Sequence, residues 1–125
     1  MGHIVETEVR NRGIEIAAIT EDVASLDPTV ANDSVCIDFT TPDAFRANYT
    51  HIAKNFKAAV IGTTGWYDIL NEVKATFELY DTTMIYASNF SLGVNALFAA
   101  VSKASELLNG AGYMPHIEEI HHIHK

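Results

Sequence analysis

The spacing of apolar residues changes along this chain, and each change predicts an element. Ile4, Val5 and Val9 recur at helical spacing, which predicts a helix over residues 3–12, closed by Gly13 in the left-handed cap that glycine enters without penalty. Ile14 to Ile19 is a β-branched run and reads as a buried strand, ending in Thr20-Glu21-Asp22. Residues 23–32 read as a loop around Asp27-Pro28. Ser34 to Phe39 reads as the next strand. In Thr41-Pro42-Asp43, Thr41 suits a helix cap, Pro42 the first turn and Asp43 the positive end of the helix. The helix is predicted over 42–55 and buries Phe45, Tyr49 and Ile52.

The alternation continues. Ala58 to Ile61 is a short strand that runs into Gly62-Thr63-Thr64-Gly65. Ile69, Leu70, Val73 and Phe77 share one face of a helix over 68–80. Met84 to Ala87 is a strand ending in Ser88-Asn89-Phe90-Ser91, and a long helix follows over 92–108, closed by Asn109-Gly110. A further strand is expected through about 116–121, although Ile117, Ile120 and Ile123 do not keep a period of two. Strands and helices in alternation imply an α/β fold, a Rossmann-type parallel sheet with helices on both faces. Ligands of such sheets sit at the carboxyl ends of the strands. Here those ends carry Thr20-Glu21, Asp38-Phe39-Thr40, Gly62-Thr63-Thr64 and Ala87-Ser88-Asn89-Phe90, all with small or polar groups.

Composition narrows the partners. The chain has 125 residues, enough for one modest domain and part of another. Its net charge of −8 argues against nucleic acid or an anionic membrane as partner. No apolar run is long enough for a membrane span. Cys36, the single cysteine, lies in an apolar run and reads as a reduced, buried residue of a cytoplasmic protein.

Local positive charge is concentrated at one place. His116, His121, His122, His124 and Lys125 fall within the last ten residues. Three readings compete: a solvated chain end, a metal site, and an acid–base and anion-binding site. A metal is not expected, because His121 and His122 point to opposite faces of any strand and zinc-type spacings are absent. Histidine exchanges protons near neutral pH, and lysine holds a carboxylate or donates a proton.

Four stretches, Ile37-Asp-Phe-Thr-Thr-Pro42, Gly62-Thr-Thr-Gly65, Ala87-Ser-Asn-Phe-Ser-Leu-Gly-Val94 and His121-His-Ile-His-Lys125, resemble the dihydrodipicolinate reductase family in order and approximate spacing. The resemblance implies a nicotinamide cofactor on a partial dinucleotide-binding domain over residues 1–90. Residues 91–125 would then begin the substrate-binding and tetramer-building domain. It implies reduction of a small cyclic dicarboxylate, dihydrodipicolinate, in lysine and diaminopimelate biosynthesis. Carried over by residue, Gly2, Phe39, Thr40, Gly62, Thr63, Thr64, Ala87, Ser88, Asn89 and Phe90 would line the cofactor. His121 would be the acid–base residue, Lys125 the proton donor, and His122 the holder of a substrate carboxylate. A homotetramer is implied as well.

Thr20-Glu21-Asp22 reads either as an ordinary acidic turn or as the end of the second strand of a dinucleotide-binding unit, where an acidic residue accepts from a ribose hydroxyl, with Thr20 and Glu21 as the candidate contacts. It offers no base for a 2′-phosphate, which favours NADH over NADPH. Met1-Gly2 resembles the end of the family's glycine-rich loop, and neither the strand before that loop nor the Ser-Gly-Thr loop after the histidines is in the sequence. The expectation is an internal piece of the enzyme, inactive and poorly folded alone. The alternatives are a non-catalytic nucleotide-binding module and a piece of a Rossmann dehydrogenase of another pathway.

Overall fold

A computed structural model describes residues 1–118 and 120. Residues Met1–Ser88 and Asn89–Lys125 form two compact units.

The first unit opens with helix α1, Gly2–Asn11. It ends as the sequence predicts. Gly13 adopts a φ of 68°, its N–H bonds to Arg10, and the Ile14 N–H bonds to Val9, so the last carbonyls of the helix are satisfied. The strand expected over Ile14–Ile19 does not form: these residues have no regular structure, and Ile14 and Ile19 are exposed. A strand exists only through its ladder, and no neighbouring strand among the described residues pairs with this stretch.

The loop expected over residues 23–32 is more ordered than its composition suggests. A 3-10 turn spans Val23–Ser25, capped where the Asp22 carboxylate accepts the Ala24 N–H at 3.1 Å. Helix α2, Pro28–Asn32, is capped by Asp27, which accepts the Thr29 N–H at 2.8 Å. Two aspartates acting as caps turn a polar stretch into structure, and Val23 and Ala31 enter the core beneath it.

Strand β1, Val35–Asp38, leads to helix α3, Pro42–Asn55. The Thr41 hydroxyl accepts the Ala44 N–H at 3.2 Å, so the start of α3 follows its sequence signal. Strand β2, Ala58–Ile61, comes next. A 3-10 turn, Tyr67–Ile69, then leads into helix α4, Leu70–Leu79, and strand β3, Thr83–Tyr86.

The sheet is parallel in the order β1-β2-β3, with Asp38, Ile61 and Tyr86 level across it. Both crossovers step the same way along the sheet, and like-handed crossovers place α3 and α4 on one face. Cys36, Ala59 and Ile61 meet Phe45, Ile52, Val73 and Phe77 there, and Trp66 completes the core. Burying each large apolar side chain contributes roughly 1.5–3 kcal/mol, so this face anchors the unit. Val35, Ile37 and Ile85 alternate to the opposite face and are exposed.

In the second unit, helix α5 spans Leu92–Asn109, with the Ser91 hydroxyl accepting the Val94 N–H at 3.4 Å. Leu92, Leu97, Phe98 and Leu107 on it are exposed. Residues 116–118 and 120 form no strand, and the rest of the strand expected through 121 lies outside the described residues. No helix among the described residues is long and apolar enough to cross a membrane.

Candidate functional site

The level register of Asp38, Ile61 and Tyr86 fixes what comes next. Phe39, Gly62 and Ala87 follow as one row at the carboxyl ends of three adjacent strands. The Gly62 N–H bonds to Asp38 O at 2.8 Å and the Ala87 N–H to Ile61 O at 3.2 Å, so the row continues the ladder. The ring of Phe39 fills the space a side chain at Gly62 would need. A Cβ at position 62 would have to push that ring aside.

A buried carboxylate lies under this row. Asp38, 4% exposed, faces the same way as Cys36, against the helices. Its Oδ1 accepts the Thr40 N–H at 3.1 Å, the Thr40 hydroxyl at 3.0 Å, and the Thr63 hydroxyl. Thr63, 3% exposed, also accepts the Thr40 N–H at 2.8 Å. Thr40 and Thr63, read from the sequence as offering groups to a ligand, turn those groups inward. A carboxylate out of water takes up every donor within reach, and here they are these two threonines. The Thr64 hydroxyl has no hydrogen-bond partner among the described residues, and Thr64 is half-buried.

The loop after β2 is held from several sides. The Trp66 indole donates to Thr63 O at 2.7 Å, and its ring, fully buried, stacks tilted on Phe45 at 4.5 Å between centroids. Gly65 has a φ of 82°, and a Cβ there would lie 2.9 Å from Pro42 Cγ. Arg46 on α3 donates to Gly65 O at 3.2 Å and pairs with Asp68. That hydrogen bond holds the Asp68 carboxyl below, and the Arg46 guanidinium above, their ordinary values. Burial, reinforced by the charge of Asp38, pushes the Cys36 thiol up to about 12.

The acidic turn is tethered separately. Asn48, buried on α3, donates from Nδ2 to Glu21 O at 3.0 Å. The Thr20 hydroxyl exchanges hydrogen bonds with the backbone of Asp22, whose carboxylate caps the 3-10 turn. Glu21 is left with a carboxylate that has no partner among the described residues.

Of the residues singled out from the sequence, the structure therefore brings together Phe39, Thr40, Gly62, Thr63 and Ala87 directly, and holds Glu21 through Asn48. Gly2 is the exposed first residue of α1. Ser88 ends the first unit; Asn89 and Phe90 open the second, where Asn89 Oδ1 accepts the Ser91 N–H at 2.8 Å. His121, His122 and Lys125 lie outside the described residues. Sequence reasoning placed Asp38 only among the polar groups of a strand end and passed over Asn48. Asp38 falls in the buried phase of β1, and Asn48 on the Phe45–Ile52 stripe of α3; a polar residue on an apolar stripe was the signal in each case.

The family described as dihydrodipicolinate reductase, N-terminus, matches residues 2–90. The chain belongs to the dihydrodipicolinate reductase family. It is 37% identical over its whole length to a 4-hydroxy-tetrahydrodipicolinate reductase of Christiangramia forsetii, covering 53% of that protein. Proteins of the same name from Ralstonia pickettii and Chromohalobacter salexigens are each 39% identical over 86% and 82% of the chain. In those two the match covers 39% and 38% of the relative, so the chain spans about half or less of the curated relatives it matches. No significant match to a solved structure was found. Family membership and the helix-flanked parallel sheet agree with the Rossmann-type fold expected from the alternating pattern.

Proposed function

We propose that this chain serves a pyridine-nucleotide-dependent reductase acting on 4-hydroxy-tetrahydrodipicolinate. Residues 1–90 supply part of the dinucleotide-binding domain and residues 91–125 begin the substrate domain. The observation that carries the reading is the row of Phe39, Gly62 and Ala87 at three adjacent parallel strand ends, in a chain belonging to this family.

The residues present fit a dinucleotide. Glu21 has a carboxylate with no partner among the described residues, on a tethered turn, suited to accept from ribose hydroxyls. Phe39 offers a half-buried flat ring, and Thr64, two residues after Gly62, a half-buried hydroxyl. No lysine or arginine stands among Thr20, Glu21 and Asp22 to pair with a 2′-phosphate, so the preferred cofactor is NADH.

The bound nucleotide supplies the hydride. The chain's own residues bind, orient and handle the proton. His121 serves as the acid–base residue, Lys125 donates the proton, and His122 holds a substrate carboxylate; a positioned acid of this kind typically contributes about 10²–10⁴ in rate. In this reading the protein works in the cytoplasm, in lysine and diaminopimelate biosynthesis, as a homotetramer.

The test is turnover of freshly generated 4-hydroxy-tetrahydrodipicolinate by the protein as expressed from its gene, with NADH and NADPH in parallel. The expected result is turnover with kcat/KM higher for NADH, lost by two or more decades in His121→Ala. Absence of turnover with either nucleotide, in a protein that also fails to bind both, overturns the proposal.

A further inference from the structure

We infer that Asp38 is a positioning residue for the cofactor floor: it fixes the two turns that face the nucleotide while itself lying beneath them. The inference deepens the reading above and rests on it.

Asp38 is almost wholly buried, so contact with a bound nucleotide is not its role. A carboxylate is costly to bury, and an apolar residue of similar size fills a strand end without that cost. What the carboxylate adds is convergence. One oxygen gathers the Thr40 N–H, the Thr40 hydroxyl and the Thr63 hydroxyl, so the turn after β1 and the turn after β2 are drawn to a single point. Hydrogen bonds to a charged acceptor are roughly twice as strong as neutral ones.

The network is closed on both sides. The Thr63 hydroxyl oxygen accepts the Thr40 N–H, and the Thr63 carbonyl accepts the Trp66 indole N–H. The linked series Thr40–Asp38–Thr63–Trp66 therefore runs under the rim and ends in the aromatic core. Phe39 sits between Asp38 and Thr40, both fixed by this network, and its ring occupies the space over Gly62. The groups turned toward a ligand, the Phe39 ring and Thr64, are set by groups that face away from it.

The experiment compares Asp38→Asn, Thr63→Val and Thr63→Ser with wild type, in the protein as expressed from its gene. Four quantities are read: the Kd for NADH by calorimetry, KM and kcat separately, and the thermal midpoint. Asp38→Asn removes the charge, Thr63→Val removes the donor at nearly constant volume, and Thr63→Ser keeps it. The expected result is a Kd and a KM for NADH raised roughly tenfold in the first two, the scale on which displaced supporting groups act, with a smaller loss in kcat. Thr63→Ser, which keeps the hydroxyl, recovers most of the affinity that Thr63→Val loses.

The inference is overturned if Asp38→Asn and Thr63→Val lower the thermal midpoint but leave Kd and KM unchanged, or if Thr63→Ser fails as badly as Thr63→Val. Should Asp38→Asn not fold, the valine–serine pair at position 63 decides. A wild type that binds no dinucleotide sinks the proposed function and this inference with it. A wild type that binds, beside variants that bind equally well, sinks the inference alone.

Discussion

The ring of Phe39 occupies the space that a side chain at Gly62 would need, so the turns after β1 and β2 touch through an aromatic edge and a bare backbone. Gly62→Ala forces the ring aside. The ring is the far end of a half-buried side chain and can move, so the fold absorbs most of the change. Overpacking of this kind costs about 1–3 kcal/mol in a rigid core, and the low end applies here. The expected outcome is a modest fall in unfolding free energy and a larger loss of NADH affinity. Denaturant unfolding and a nucleotide titration on the same sample check it; full affinity in the alanine variant would contradict the role given to this contact.

Arg46 and Asp68 bridge α3 and the turn before α4, and the pair predicts a pH dependence. The hydrogen bond from Arg46 depresses the Asp68 carboxyl in the folded state. A depressed carboxyl stabilises the fold above its unfolded value, and the contribution disappears as pH falls through the lower folded value. The stability difference between wild type and Arg46→Ala is therefore full at neutral pH and shrinks below about pH 4, the ordinary aspartate value. Asp68 is exposed and Arg46 only half-buried, so salt weakens the difference too. Parallel urea titrations at pH 7 and pH 3 measure it; a gap that widens in acid would refute the assignment.

Cys36 lies in the core with its thiol pushed up to about 12, chiefly by burial. At pH 8 the thiolate fraction is then on the order of 10⁻⁴, far below that of a free cysteine. The expected outcome is that a thiol-reactive disulfide reagent leaves Cys36 untouched in the native state. Full reaction follows once denaturant is added. Rapid labelling of this residue in the native protein, followed by mass spectrometry, would show the burial to be wrong.

How far the sequence reaches is clearest in α3. Thr41, Pro42 and Asp43 are local start signals, and Phe45 and Ile52 recur at helical spacing, so nothing distant was needed to find it. Ile14–Ile19 failed for the opposite reason. Its β-branched residues favour extended backbone, but whether they make a strand depends on a partner, and partnership is a property of the whole sheet. The Asp22 and Asp27 caps were local and readable, yet the polar composition around them outweighed them. The site divides in the same way. The rim residues were legible because they follow apolar strands, a pattern tied to the fold. That Thr40 and Thr63 face inward was not, because it depends on a carboxylate 25 residues upstream of Thr63 in the chain.

Asp81 closes α4 with a φ of 54°, a left-handed conformation that glycine normally supplies. The surrounding bonds are those of a complete cap: the Asp81 N–H reaches Glu78 O at 3.1 Å and the Thr82 N–H reaches Phe77 O at 3.0 Å. The geometry is thus held against the preference of the residue. The left-handed conformation costs a residue with a Cβ roughly 1–2 kcal/mol, and aspartate somewhat less. Asp81→Gly relieves that cost and gives back part of it through a freer unfolded chain. The expected net gain is about 0.5–1 kcal/mol, measured as a higher denaturant midpoint with an unchanged slope. Asp81→Ala keeps the Cβ and loses the side chain that tolerates this conformation, so it falls below wild type. A glycine variant less stable than the alanine variant would mean that residue 81 does not hold the left-handed cap in solution.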